Sequence, residues 1–394
     1  MTILRRARDR MKQMVRWSRV DTLGARTLCA HVMAARRISV LGATGYTGRL
    51  IVRELRRRRI AVLAAGRNPE KLQRLAVEMG GIETLEADVG DHAALDRLAA
   101  RSRVIINTAG PFIDYGEPVV RAAISNGVHY LDTTGEQPFM KAMLAHDAWA
   151  REQGVAVVSA QAFEVAVADC AAAVGAQGFD DVAAVQVTYV APFHASQGTQ
   201  RTMLRMLQSS GYAYIGGKWV EEAPAKVPRQ VEFPAPVGRV TALSFPSAEV
   251  ITIPRHLSVR AVRTFISVPP ITARLLSATV PAVRAAIRTP LAHLVNYWLG
   301  GGTGGPDEQT RAQDAFHIAV DVRGVCGGRA RQRRVLVRGH DPYGLTAVIA
   351  AQAAVLMCRE GYDRSGVLPP AAAFEPRPFL DYLKDFGLAY QAES

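Results

Sequence analysis

Residues 36 to 163 alternate short apolar runs, rich in β-branched residues, with longer segments whose apolar residues recur at helical spacing. "RRISVLGA" is followed by "YTGRLIVRELRRRR", in which Leu50, Ile51 and Leu55 share one face with arginines opposite. "IAVLAAGR" precedes "NPEKLQRLAVEMG", with Asn68 placed as N-cap, Pro69 at the first helical position and Gly80 as terminator. "IETLEADV", "RVIINTAG", "VHYLDTT" and "VAVVSAQAF" complete a set of six strands. "DHAALDRLAARS", "GEPVVRAAISNG" and "EQPFMKAMLAHDAWAREQG" supply the helices between them. Strands that are apolar on both faces need helices on both sides of their sheet. The expected architecture is α/β, a doubly wound parallel sheet of the Rossmann type.

The first strand-to-helix junction carries Gly42, Gly45 and Gly48 at three-residue spacing. A glycine triplet alone is weak evidence. Placed after a strand and at the opening of a helix, it reads as a phosphate cradle, because free N–H groups and the helix dipole attract a pyrophosphate. Gly42 permits the turn, Gly45 lets phosphate approach the backbone, and Gly48 lets the helix pack on the strand. Thr44 and Thr47 offer hydroxyl donors, and Tyr46 lies between them. The spacing is G-x-x-G-x-x-G, a variant of the dinucleotide fingerprint. An NAD site places an acid at the end of the second strand to hold the ribose 2′-hydroxyl. Here that place holds Arg67, followed by Asn68 and, one helical turn on, Lys71. A guanidinium binds a 2′-phosphate that a carboxylate would repel. NADPH is therefore the expected cofactor. Asp88 and Val89 at the third strand's end, and Ala109, Gly110 and Pro111 at the fourth, are expected to line the same ligand.

The rhythm changes after Phe163. "DDVAAVQVTYVAP" reads as a strand, "GTQRTMLRMLQSSG" as a helix, and "YIGGKWVEE" as a turn and strand. "HIAVDVRGVCGGRARQRRVLVRGHDP" reads as a hairpin turning at Gly327-Gly328. These imply a second, mixed α+β domain over residues 166–340, serving substrate or a homodimer contact. The uncharged run from Tyr343 reads as a buried helix, so residues 341–394 are expected to return to the first domain, residues 36–165. Thr264 to Pro306 is cut by prolines into amphipathic pieces carrying Arg274, Arg284 and Arg288, and it ends in "GGGTGGP". It is expected to control access of a lipid-like substrate or to touch a membrane surface. Tyr214 and Lys218 have the Y-x-x-x-K spacing of a short-chain dehydrogenase pair. Gly216-Gly217 between them favours a turn, so that chemistry is rejected.

Of the formal net charge of +13, residues 1–37 contribute +8, from ten basic residues against Asp9 and Asp21. The charge thus belongs to an N-terminal arm, residues 1–35, rather than to the whole chain. We expect that arm to be disordered and dispensable, with Met33 as a natural start, and expect no nucleic-acid partner. The four cysteines, Cys29, Cys170, Cys326 and Cys358, show neither metal nor redox spacing. They suit a reducing cytosol, and no metal site is expected. The arm has no apolar stretch of signal-peptide length, which points to a cytoplasmic protein, with peripheral membrane contact left open.

"GATGYTGRL", "AGRNPEKL", "NTAGPFIDYGEPVVRAAISNGVHYLDTTGEQPFM", "QGTQRTMLRML", "RGHDPYGLTA" and "GVLPPAAAFEP" together resemble the saccharopine dehydrogenase-like oxidoreductases, including the trans-acting enoyl reductases. The resemblance spans roughly Arg36 to Leu388. It implies an NADP-binding Rossmann domain, a second mixed domain and reductase activity. In the enoyl reductase branch it implies a carrier-bound acyl substrate presented by a polyketide synthase. Such proteins carry a "GFDSVPSD"-like stretch after the sixth strand; here it reads "AFEVAVAD", Ala162 to Asp169. Ala162 and Val167 replace its glycine and proline, so the loop facing the nicotinamide is expected to be reshaped. The leading expectation is NADPH-dependent reduction of a C=C bond, with Tyr115, Asp132, Glu136 and His194 as candidate proton-handling groups. The alternatives are imine or amine conversion of the saccharopine reductase kind, and a membrane-associated protein that binds NADP without turnover.

Overall fold

Adjacent residues of a strand project to opposite sides of its sheet, and the first six strands, apart from the edge strand Glu83–Glu86, have apolar residues for both sides. The computed structural model describes residues 37–191, 194, 196, 198–200, 211–270 and 304–393. The basic arm, the Met33 start, most of the helix expected over "GTQRTMLRMLQSSG" and residues 271–303 lie outside the described residues.

Strands β1 (Arg37–Leu41), β2 (Val62–Gly66), β3 (Glu83–Glu86), β4 (Ser102–Asn107), β5 (His129–Asp132) and β6 (Ala156–Val158) form one sheet in the order β6-β5-β4-β1-β2-β3. The order reverses at β1, as in a doubly wound sheet. Helices α1 (Tyr46–Arg57) and α2 (Pro69–Glu78) bury Ile51, Val52, Leu55, Leu72 and Leu75 with Val40, Val62 and Ile106 on one face. Helices α3 (His92–Ala100) and α4 (Phe112–Ser125) bury Leu95, Leu98, Val119 and Val120 with Leu41, Leu63 and Ile105 on the other. Short helices α5 (Gln137–Met143) and α6 (Asp147–Glu152) lead to β6, and α7 (Val165–Gly175) leaves it.

The second sheet has nine strands. Its path runs β10 (Pro228–Glu232), β11 (Arg239–Ser244), β12 (Val259–Ser267), β7 (Asp181–Val190), β13 (Ala315–Cys326), β14 (Arg329–His340) and β16 (Ala389–Glu393). A side hairpin, β8 (Gly211–Ile215) and β9 (Lys218–Glu222), attaches to β12. β12 pairs parallel with β7, and β13 pairs antiparallel with both β7 and β14. Between β11 and β12 lies the single-turn helix α8 (Glu249–Thr252), and α9 (Glu308–Gln313) precedes β13. Helix α7 is buried almost throughout and joins the cores of the two sheets, so residues 38–394 behave as one compact body.

The uncharged helix α10 (Pro342–Met357) packs along α1 and against β4 and β5. Arg58 at the end of α1 donates to Gln352 Oε1 (2.9 Å) and to Val348 O (3.3 Å). The chain then adds a seventh parallel strand, β15 (Gly366–Val367), beside β6, followed by α11 (Pro370–Ala373) and α12 (Pro376–Leu383). The return to the first sheet is thus real for α10 and β15, but the tail does not stay there: β16 closes the edge of the second sheet on β14. Three further expectations need correction. α4 begins at Phe112 rather than Gly116, the fifth helical segment is three short pieces, and Thr264 to Ser267 belong to β12 rather than to a lid. Across the β8–β9 turn at Gly216-Gly217, both with positive φ, Tyr214 pairs with Trp219 and Lys218 with Ile215, so Tyr214 and Lys218 share no helical face.

Candidate functional site

Helices leave opposite faces of the sheet after β1 and β4, which opens a crevice beyond the carboxyl ends of these two neighbours. A ligand of a doubly wound sheet binds there. Gly42 has φ +80°, and a Cβ on it would stand 2.7 Å from Thr108 Oγ1. The loop is fixed by Gly42 and Ala43 N–H groups donating to Ala65 O, and by Thr108, whose N–H and hydroxyl both donate to Leu41 O (2.9 Å each). Gly48 is needed for a different reason: its Cβ would lie 2.3 Å from Gly42 O. Gly45 is exposed and caps α1 with no side chain, leaving the first-turn N–H groups to a ligand. The three glycines thus shape a turn, an open approach and a close packing contact. Thr44 and Thr47 are part-exposed in the same loop.

Tyr46 is used elsewhere. Its hydroxyl donates to Pro306 O (2.5 Å), and its ring meets Tyr343 edge-on at 5.0 Å. Burial pushes its phenol up. It anchors the segment before α9 and is better assigned to packing than to cofactor binding. At the end of β2, Arg67 and Lys71 are exposed, and neither side chain has a partner among the described residues. Asn68 Oδ1 is occupied in capping α2 through Lys71 N–H (2.8 Å). Asp88 Oδ1 accepts from Gly90 N–H (2.8 Å) and holds its own turn, with Val89 part-exposed beside it. Ala109 N–H donates to Asn107 Oδ1 (3.0 Å), and Gly110 is exposed with Pro111 part-exposed at the start of α4. The glycine loop, the end of β2 and residues 108–111 thus lie together at the carboxyl ends of β1, β2 and β4.

The four proton-handling candidates do not converge. Tyr115 is 45% exposed on the first turn of α4, beside Ile113 at 44%. Asp132 is fully buried and accepts from Thr134 N–H (3.0 Å), Ser159 Oγ–H (2.8 Å) and Ala160 N–H (2.9 Å). Burial pushes its carboxyl up to about 6, against those hydrogen bonds. Its role is structural: with its own carbonyl accepting from Gln161 (2.7 Å), it holds Ala160 at φ +63°, a conformation costly for a residue with a Cβ. Glu136 is also buried. Its two oxygens accept from Phe112 N–H (3.0 Å) and Ile113 N–H (2.9 Å), so it caps α4 from outside that helix. His194 lies 2.8 Å through Nδ1 from Asp314 Oδ1 and is apart from this group.

The group that sequence reasoning passed over is Glu164, just after the strained turn at Ala160. It sits next to Gly135 in the loop after β5: a Cβ on that glycine would be 3.9 Å from Glu164 Oε1. Burial, then the Glu249 carboxyl, pushes Glu164 up to about 7. Behind it Tyr189 O–H reaches Glu249 Oε1 and lies 3.3 Å from Glu164 O. Glu249 is fully buried, and its other oxygen has no hydrogen-bond partner among the described residues. Asp169 bridges His256 Nε2 (2.9 Å) and Ala371 N–H (2.9 Å), tying α7 to the C-terminal segment. No local pattern announces this pair of acids, because Glu164 and Glu249 are separated by 85 positions. No His, Cys, Asp and Glu cluster able to hold a metal occurs among the described residues.

Sheet order, glycine junction and the free cations at β2 define a dinucleotide-binding α/β protein. Residues 38–158 match the family model of the saccharopine dehydrogenase NADP binding domain. That part of the chain belongs to this family, and it binds NADP(H). The mouse saccharopine dehydrogenase-like oxidoreductase is 35% identical over 149 residues, 33% of this chain and 35% of that one. The trans-acting enoyl reductase of Mycobacterium ulcerans is 34% identical over 136 residues, 32% of each chain. The matched part is thus about a third of these relatives' length. Saccharopine dehydrogenase (L-Glu forming) from Saccharomyces cerevisiae superposes with a TM-score of 0.62 at 13% identity, over 91% of this chain and 100% of that one. The two-sheet fold is therefore shared well beyond the cofactor domain.

Proposed function

We propose that the protein is an NADPH-dependent oxidoreductase that reduces a C=C bond conjugated to an acyl group, in an enoyl thioester or a similarly lipid-like substrate. The oxidoreductase reading is supported by the NADP-binding domain and by the names of its relatives; the enoyl reading by one of them. The observation that carries the substrate class is the charge of the crevice loops. Residues 107–116, 132–137 and 159–165 contain Asp114, Asp132, Glu136 and Glu164 but no lysine or arginine. An imine substrate bearing several carboxylates needs cations at the reacting end, and these loops oppose it. Exposed Ile113 and Tyr115 instead offer apolar surface at the rim.

When bound, NADPH supplies a hydride. The glycine loop and the first turn of α1 would hold its pyrophosphate, and Arg67 with Lys71 would bind the 2′-phosphate. Residues 109–111 and the turn held by Asp132 shape the reacting end. A polyketide synthase that carries the acyl chain is the partner this chemistry would need, and a homodimer is compatible with it. The setting this reading implies is the cytoplasm, with peripheral membrane contact as its variant. Among the described residues no helix is long and apolar enough to cross a membrane.

The test is NADPH oxidation, followed at its absorbance, with enoyl thioesters of graded chain length and with an amino acid–aldehyde pair that forms an imine. Turnover of the enoyl thioesters alone supports the reading. Turnover of the imine alone, or tight NADPH binding with no turnover of either, refutes it.

A further inference from the structure

Reduction of an enoyl group needs a proton as well as a hydride, and none of Tyr115, Asp132, Glu136 or His194 is both free and buried at the crevice. We propose that Glu164 is the acid that protonates the carbon next to the acyl group, acting from the turn between β6 and α7. This inference rests on the enoyl reading above.

Three features place it there. Glu164 follows β6 directly, at the carboxyl end of the parallel sheet where the crevice lies. It faces Gly135, where the absence of a side chain leaves room beside Oε1. Its carboxyl meets no donor other than its own backbone among the described residues, yet it keeps part of its surface exposed. A buried carboxyl with a structural task is saturated, as Asp132 and Glu136 are. The turn that presents Glu164 is held firmly, by Asp132 at Ala160, by Thr346 Oγ1 at Phe163 N–H (3.1 Å) and by Tyr189 O–H at Glu164 O.

The groups around it favour the protonated form. They are Glu249 on α8, whose carboxylate opposes a second charge, and the interior itself, with Tyr189 on β7 joining the Glu249 carboxyl to the Glu164 carbonyl. Burial and Glu249 hold Glu164 near 7, so it is substantially protonated at neutral pH and close to the optimum for an acid. The step balances. With the hydride that bound NADPH would supply added at the β-carbon, the π pair would move to the α-carbon and carbonyl. The Glu164 proton then forms the α C–H bond. NADP+ and a Glu164 carboxylate remain, and solvent reprotonates the latter through its exposed edge.

The experiment compares wild type with Glu164→Gln and Glu164→Asp on the enoyl thioester that wild type reduces best. Glu164→Gln is expected to lower kcat about a hundredfold or more while leaving the NADPH Kd within twofold. Glu164→Asp should recover part of the rate. Wild-type kcat should fall above a pKa near 7, and this limb should vanish in the glutamine variant. Equal kcat for wild type and Glu164→Gln, or a wild-type profile flat through neutral pH, overturns the assignment while leaving the enoyl reading intact. A wild type that reduces no enoyl thioester overturns both.

Discussion

Gly48→Ala is the sharpest test of the cofactor loop. Gly48 lies in the first turn of α1, where alanine would normally favour the helix by about 1 kcal/mol. The structure opposes that gain. The added methyl would stand 2.3 Å from Gly42 O and 2.9 Å from Ala43 Cα. The first distance is 0.7 Å inside the 3.0 Å that Cβ atoms otherwise respect. The obstacle is backbone and cannot rotate away. Nor can Gly42 O retreat freely, since it accepts from Gly45 N–H at 2.9 Å. Overpacking of this kind costs about 1–3 kcal/mol, so the net loss of stability should be about 0–2 kcal/mol and the protein should still fold. The displaced helix, however, carries the N–H groups that, in the proposed mode of binding, would meet the pyrophosphate. NADPH affinity should therefore fall at least about tenfold, equivalent to about 1.4 kcal/mol. Fluorescence titration of NADPH, with thermal melting as a control for folding, measures both. A variant that binds NADPH within twofold of wild type would refute the close-packing account of the triplet.

Arg67→Asp should weaken NADPH binding by about 1.5–3 kcal/mol, tenfold or more, and NADH binding far less; because Arg67 is exposed and unpaired, Tm should not move. Equal losses for the two cofactors would remove its 2′-phosphate role. Ala160→Gly relieves a left-handed residue and should raise Tm or leave it unchanged, whereas Ala160→Val should lower it clearly in the same melting series. The Glu164 carboxyl, raised from 4.5 to about 7, binds its proton more tightly in the folded than in the unfolded chain, so its contribution to stability falls as pH rises from 4.5 to 7. Wild type should accordingly lose up to about 3 kcal/mol relative to Glu164→Gln across that window, read as a widening gap in Tm. A constant gap would mean that Glu164 titrates at its ordinary value.

The sheet was legible because its strands are apolar on both faces. Val62, Leu63, Ala64 and Ala65 form a run that only a doubly covered strand can bury, and all four are buried. The glycine loop and Arg67 were legible because their meaning is local: a turn, a helix start, a strand end. The helix start at Phe112 was not, because the residues exposed there, Ile113 and Tyr115, are apolar, and its cap comes from Glu136, 24 positions away. Strands β10 to β12 were obscured by the prolines that border them. The surroundings of Glu164 were invisible for a more general reason. Tyr189 and Glu249 reach it from β7 and from α8, and nothing in "AFEVAVAD" signals that two acids will share one interior.

Helix α10 also bears on the order in which the protein can be built. The face of the first sheet that α1 shares is completed only by residues 342–357, and the edge beside β6 only by Gly366 and Val367. A growing chain therefore emerges with the whole cofactor domain sequence, residues 38–158, translated and part of its apolar surface still uncovered. About two hundred residues must follow before the missing helix arrives, which makes the assembly slow and exposes it to aggregation meanwhile. The same reasoning sets a limit on dissection: a fragment ended at the boundary of the matched family domain would lack both the cover and the edge strand that this chain borrows from its far end.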